Sequence, residues 1–403
     1  MEDWKRVNSS PLNFIEEVTA EKKFLPKKIY LHDTTLRDGE QFAGVVFTKE
    51  DKILIGKALS ELGVHRIEVM PAVSQDDFEA VSVLSSLGLS AEIVGFCRSV
   101  QGDIQKAADA GCSAIELEIT TFPPQIEAFG WTFEETTEKI IRASHFAKEN
   151  GLRVTAFLMR STQSPWDFVR KMIEKILKEG EIDALALADT LGTCLPQSLY
   201  HFVRRVKSLT DKSIEIHPHN TYGMGTAGAL SAVMAGADVI HACVNGLGEG
   251  GGNAPLETVV MDLELMLGVE TGIKMENIYK VSQLVEELSR IPLQANWPLV
   301  GERVFTQESG IAIDSVFKMA KAGKANPPGT DIAGIIGRNR KIIVGKMSGS
   351  TSIKVKMEQL GIPIPDEAVV TDILNRVKAK AIDKHHALTD HEFKMVVDAV
   401  TNK

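Results

Sequence analysis

Apolar positions recur along this chain in two alternating rhythms. Short runs such as 28–31, 114–119 and 213–216 place hydrophobic residues at nearly every, or every second, position. Longer stretches between them carry apolar residues three and four apart, the spacing of one helical face. The first rhythm predicts strands over 28–33, 66–70, 91–96, 114–119, 152–158, 183–188, 213–217 and 238–243. The second predicts helices over 49–63, 74–87, 101–110, 132–149, 164–179, 195–209, 222–235 and 254–267. Helix starts carry caps: Thr48 precedes Glu50 and Asp51, and Thr132 precedes Glu134 and Glu135. Gly63, Gly111, Gly151 and Gly236 stand at helix ends, where a left-handed residue is wanted. Eight strand–helix units over about 240 residues is the count of an α/β protein of the (β/α)8 TIM-barrel class. An open doubly wound sheet is the alternative. The regular spacing fits a barrel better, and no G-x-G-x-x-G follows the first strand.

Past residue 268 the rhythm breaks. One helix is expected over 275–291, then irregular chain around Pro292, Trp297 and Pro298. Residues 299–345 are rich in Gly and Pro, and helices are expected again over 352–361, 366–380 and 390–401. The expected division is an N-terminal extension (1–27) with one short helix, a catalytic barrel (28–270), a helix and linker region (271–345) and a C-terminal, mainly helical lid subdomain (346–403). A long linker suits a lid or an arm exchanged in a dimer; packing under the barrel is the alternative.

The 403 residues exceed the roughly 250 of one barrel, leaving room for that appended region. A formal net charge of −9 argues against non-specific nucleic-acid or anionic-membrane partners, so an anionic substrate would need local cations. The four cysteines, Cys97, Cys112, Cys194 and Cys243, form no C-x-x-C pair, which suits a reduced, cytoplasmic protein. The start lacks an apolar signal core and no run of 18 apolar residues follows, so neither a signal peptide nor a membrane span is expected.

Chemistry gathers at predicted strand ends, where parallel α/β barrels place it. The stretch 31–41 packs His32, Asp33, Arg37, Asp38 and Glu40 into nine residues. His217 and His219, at i and i+2 of an extended segment, share a face. Asp33 with the two His makes a divalent-metal site plausible. Other strand-end residues are Gln41, Glu68, Arg98, Arg160, Asp189, Thr190 and Asn220. A Gly-rich loop runs from Asn245 to Asn253. Blander readings stand beside these. Asp38 could simply pair with Arg37, and Glu68 with His65 or Arg66. Cys97 and Cys243 suit small core positions, and His241 reads as structural.

The motifs HDTTLRDGEQ (32–41), DTLG (189–192), HPHN (217–220) and NGLGEGGGN (245–253) resemble those of the DRE-TIM metallolyases. Within that superfamily they resemble the LeuA-type acyltransferases: isopropylmalate, homocitrate, citramalate and Re-citrate synthases. The likeness spans about residues 28–360, and GKMSGSTSIKVKMEQLG (345–361) favours the synthase branch over the lyase branch. The resemblance implies metal ligands Asp33, His217, His219 and Asn253 for Mg, Mn or Zn, with acetyl-CoA as co-substrate. The metal would polarise a 2-oxo acid for Claisen condensation. Arg37 would bind the developing alkoxide, with Asp38 orienting it and Glu68 lining the pocket. Thr190 would bind the substrate carboxylate, with Gln41 and Asn220 also at the pocket. A homodimer is implied, with the C-terminal subdomain over the partner's barrel mouth.

The chain departs from the family pattern at several points. The family's HxxGIH segment reads Gln307-Glu-Ser-Gly-Ile-Ala312, its Y-E segment has no counterpart in 325–331, and HND ends in Thr221. The strand-5 ED reads Met159-Arg160, and GER-x-GN loses its Arg. Retro-aldol cleavage of a hydroxy acid or hydroxyacyl-CoA and a non-catalytic metal-binding paralogue are the alternatives. The lyase reading is weakened because residues 246–252 contain no Cys. Arg98 and Arg160 offer extra cations, so a dicarboxylic 2-oxo acid is expected, with Arg160 as its partner.

Overall fold

The computed structural model describes residues 8–323 and 332–401. Eight parallel strands close into a barrel in chain order: β1 (Tyr30–Asp33), β2 (Arg66–Val69), β3 (Glu92–Arg98), β4 (Ala114–Thr120), β5 (Arg153–Met159), β6 (Ala184–Asp189), β7 (Ser213–Pro218) and β8 (Val239–Ala242). β8 pairs back on β1, with His32 beside His241 in the register. Every expected strand is present, and the TIM-barrel reading stands. The local signals act as anticipated. Thr48 and Thr132 each close a capping box, and Gly63, Gly111, Gly151 and Gly236 all take positive φ.

The first compact unit continues to Leu293, beyond the expected barrel limit at 270. The helix Ile278–Ser289 explains the difference: it buries Ile278, Val281 and Val285 and packs on the helix Lys49–Leu62. A short helix, Pro123–Ala128, follows β4, between the expected strand 114–119 and helix 132–149. Its two leading prolines pre-set the first turn, where no donor is needed.

The second unit runs from Gln294. Its core joins Ile353, Met357, Val370, Ile373, Val377 and Phe393 from the helices Ser350–Gln359, Glu367–Lys384 and Asp390–Thr401. The stretch 299–345, expected to be irregular, holds the helix Gly310–Lys321 and two short paired strands, β9 (Thr306–Gln307) and β10 (Lys341–Ile342). The Gly- and Pro-containing run 326–329 and the rest of the 325–331 segment lie outside the described residues.

The barrel interior positions the site. Strand alternation turns every second residue inward. Phe96, Phe157, Ala186 and Ala188 form an apolar patch there. The same alternation turns in charged residues: Arg66 and Glu68 on β2, Glu116 on β4, Glu215 and His217 on β7, His241 on β8 and His32 on β1.

Candidate active site

Asp38, His217 and His219 converge just beyond β1 and at the end of β7. His217 Nε2 lies 3.1 Å from Asp38 Oδ2 and 3.3 Å from His219 Nε2; His219 Nε2 lies 3.8 Å from Asp38 Oδ2. Ligand atoms about 2.1 Å from one divalent ion stand about 3.0–3.4 Å apart; two sides of this triangle fall in that range and the His219–Asp38 side is longer, a gap that a small side-chain rotation closes. Burial pushes His217 down to about 3, leaving a neutral ring with a lone pair to give. Burial alone would raise Asp38, but Arg37 beside it and the His217 contact hold it well below the usual carboxylate range. Asn253 is bridged to His219, and its buried Oδ1 has no hydrogen-bond partner among the described residues. Imidazole and oxygen donors without thiolate fit Mg, Mn or Zn.

Asp33 does not join this group, which corrects the expectation from the sequence. On β1 it is His32 that turns into the barrel, so its neighbour Asp33 turns the other way. Its carboxylate accepts from the Thr35 N–H at 2.9 Å and the Thr35 hydroxyl at 3.0 Å. Burial pushes it up to about 7 against those bonds. Asp33 thus shapes the turn that delivers Arg37 and Asp38, and Asp38 is the carboxylate that faces the two His.

Arg37 is the hub beside the triangle. Its Nε donates to Glu68 Oε1 at 2.9 Å, and its Nη1 donates to Asp38 Oδ2 at 3.0 Å and Gln41 Oε1 at 3.3 Å. The guanidinium stacks 4.1 Å over the Phe96 ring. Its buried Nη2 has no partner among the described residues. A buried donor is costly to leave unmet, so Nη2 is a position open to an acceptor. Glu68 and Gln41 therefore hold Arg37 from two sides.

The Gly-rich loop closes over the same carboxylate: the Glu249 N–H donates to Asp38 Oδ1 at 3.0 Å. Gly252 permits this close fold. It sits at φ +79°, and a Cβ there would collide with the Gly246 carbonyl oxygen.

The remaining expected residues divide. Thr190 Oγ1 accepts from the Arg160 N–H at 2.9 Å, so its own hydroxyl proton is available to donate. The Arg160 Nε is buried without a partner among the described residues, and its guanidinium lies 5.6 Å from the Phe122 ring. Asn220 is committed elsewhere: its Oδ1 accepts from the Gly225 N–H at 2.8 Å, at the start of the helix Gly225–Met234. Arg98 is also committed. Asp103 holds it through two bonds of 2.8 and 2.9 Å, and its side chain is 63% exposed. Within the second unit, Glu308 accepts from the Met347 N–H at 3.1 Å.

Sequence reading missed a second buried cluster, His32, Glu116, Glu215 and His241. The signal was present as charges at alternate positions of apolar strands, Glu116 in β4 and Glu215 two residues before His217.

A closed barrel with an Asp–His–His triangle and a half-satisfied Arg at its mouth defines a class built to hold a divalent cation against an anionic ligand. The chain belongs to the HMGL-like family, whose model matches residues 28–285; a homocitrate synthase post-HMGL domain-like model matches 299–385. It is 37% identical over 396 residues to a 2-isopropylmalate synthase of Methanocaldococcus jannaschii, covering 97% of this chain and 75% of that one. It is 34% identical over 386 residues to a homocitrate synthase of Methanopyrus kandleri, covering 95% of each. An (R)-citramalate synthase of M. jannaschii is 35% identical over 377 residues, covering 93% and 75%. Among solved structures, an HMG-CoA lyase of Bacillus subtilis superposes with a TM-score of 0.61 at 23% identity, covering 67% of this chain and 96% of that one; this likeness concerns the fold alone.

Proposed function

We propose that the protein condenses acetyl-CoA with a dicarboxylic 2-oxo acid at the mouth of its barrel. The synthases it resembles support the condensation, and neither the lyase nor the non-catalytic alternative is favoured. The observation that carries the site is the Asp38–His217–His219 triangle with the unmet Arg37 Nη2 beside it. Asp38, His217, His219 and Asn253 would hold a divalent cation, which would supply Lewis acidity toward the 2-oxo acid. The protein's own groups do the rest. The acetyl-CoA methyl group gives up one proton to a general base as its carbon bonds to the carbonyl carbon; the C=O π pair moves onto the oxygen, which becomes an alkoxide and is then protonated, and water cleaves the thioester to free the CoA thiol. Arg37 Nη2 donates to that oxygen as its charge grows, while Glu68 and Asp38 keep the guanidinium from turning. Phe96 and Phe157 wall the guanidinium from water. The Thr190 hydroxyl donates to the 2-oxo acid's carboxylate. Arg160, with its unmet Nε, takes the second carboxylate.

Release of CoA thiol from acetyl-CoA should depend on an added 2-oxo acid, with oxaloacetate or 2-oxoglutarate preferred over pyruvate and 2-oxoisovalerate. Arg160→Ala should cost kcat/KM for the dicarboxylate about ten- to a hundredfold, or about 1.5–3 kcal/mol, and leave monocarboxylates nearly unchanged. Thiol release with no acceptor in the panel removes the condensation reading. A preference for monocarboxylates removes the role given to Arg160.

The same reading includes a cytoplasmic homodimer. The four cysteines are free, and no helix among the described residues is long and apolar enough to cross a membrane. Sedimentation at micromolar concentration should give twice the 44.0 kDa of one chain; a monomer there excludes the dimer.

A further inference from the structure

We propose that His241 and Glu215 are positioning residues for the cation ligand His217. They fix which of its nitrogens faces the ion. This rests on the reading of Asp38, His217 and His219 as a cation site.

The argument is one of counting protons. His217 presents Nε2 to the triangle, and its Nδ1 lies 3.2 Å from His241 Nδ1. His241 Nε2 lies 2.9 Å from Glu215 Oε2. Glu215 Oε1 accepts from Arg66 Nη1 at 2.9 Å and from the Thr155 hydroxyl at 3.2 Å. All three linked side chains, His217, His241 and Glu215, are at most 1% exposed, so water cannot substitute for a missing partner.

A neutral imidazole carries one N–H, so two orders are open. In the first, His217 keeps its proton on Nε2, pointing at Asp38. Its Nδ1 must then accept from His241 Nδ1–H. That leaves the His241 Nε2 lone pair facing a carboxylate oxygen, which is repulsive. In the second, His217 Nε2 gives its lone pair to a cation and Nδ1–H donates to His241 Nδ1. His241 Nε2–H then donates to Glu215, and every group is satisfied. With neutral rings, the line closes only in the second order. Metal-bound His generally donates its other N–H to an acceptor that sets its tautomer; here a second His relays that bond to the carboxylate.

The surroundings hold the line in place. His32, register partner of His241 across β1 and β8, stacks on it with centroids 4.2 Å apart and planes 15° apart. The His217 and His241 rings cross at 89°, which aims one nitrogen at the other. Beyond Glu215, Arg66 reaches Glu92 Oε2 at 3.3 Å, and Glu92 meets Arg153 at the start of β5. The line therefore runs from the C-terminal mouth of the barrel to its N-terminal ends.

The test is cobalt(II) affinity by chelator competition, with the cobalt absorption spectrum recorded, on the full chain and three variants. His241→Phe keeps the bulk and removes the acceptor. His241→Asn can place Oδ1 where Nδ1 stood and still accept from His217. Glu215→Gln is isosteric, but with its oxygen on Arg66 it turns an amide N–H toward His241 and forces the wrong order. H241F and E215Q should each bind cobalt about 10- to 100-fold more weakly, with altered absorption, while H241N stays close to wild type. If the wild type takes up no cobalt, the cation site itself fails. If it binds one ion per chain and H241F and E215Q bind as tightly, the positioning role is overturned. A loss in H241N as large as in H241F would also overturn it. Should H241F fail to fold, E215Q and H241N decide the question alone.

Discussion

Asp38→Asn should strip the divalent cation from the protein, and Asp33→Asn should leave it bound. Both are buried acids of one motif, and the substitution is the same, so the comparison isolates geometry. Asp38 places Oδ2 at 3.1 Å from His217 Nε2 and 3.8 Å from His219 Nε2, where an anionic oxygen is needed. A neutral amide there removes one charge and points either a weaker acceptor or a donor at the ion. Loss of a direct ligand should exceed the 10- to 100-fold typical of its supporting residues, so affinity should fall by more than about a hundredfold. Activity should vanish with it. Asp33 holds Thr35 instead, and Asn can keep one of those two bonds, at a cost of about 1–3 kcal/mol in stability. Metal content after dialysis is the measurement. Equal retention by Asp38→Asn, or loss by Asp33→Asn from a folded protein, would reverse the assignment.

Arg37→Lys should lower kcat about 10²- to 10³-fold, or about 2.7–4 kcal/mol, the usual cost of one donor to a developing oxyanion. Lysine keeps the charge but not the fork that reaches Glu68, Asp38 and the open Nη2 position together. Truncation to Ala is a worse probe, because it leaves Glu68 buried without its cation and costs about 3–5 kcal/mol of stability. If Arg37 acts on the alkoxide, kcat and kcat/KM should fall together with KM for the 2-oxo acid little changed. A large rise in KM at constant kcat would instead make Arg37 a ground-state carboxylate anchor.

Much of this was legible in the chain itself. The eight strands, the capping boxes at Thr48 and Thr132 and the four left-handed glycines are local signals, and local signals survive folding. The His217/His219 pairing was legible because a two-residue spacing has one meaning on a strand. Asp33 and Asp38 were not separable, because the choice depends on which face of β1 turns inward, and His32 settles that only through its stack on His241 across the sheet. Arg98 was overvalued for a similar reason: its partner Asp103 lies five residues on, at a helix start, and takes the Nε–Nη2 edge of the guanidinium. The helix Gly310–Lys321 was hidden by the glycines and prolines around it, and Ile313, the one well-buried apolar residue among its described side chains, is too weak a pattern to announce it.

The ring of Phe157 has a wider consequence. It meets His217 edge-on at 5.1 Å and Phe96 at 5.2 Å, and its centroid lies 5.7 Å from the Arg37 guanidinium. Ala186 and Ala188 on the neighbouring strand leave it that room. One wall thus backs both the proposed cation ligand His217 and the proposed alkoxide donor Arg37, and two methyl groups set the position of that wall. Enlarging either alanine would move both reactive groups at once, in directions no single compensating change restores. Drift in this interior is therefore penalised twice over, and evolutionary retuning of the acceptor is channelled outward to the loops, where Arg160 already stands in place of the family's acid pair.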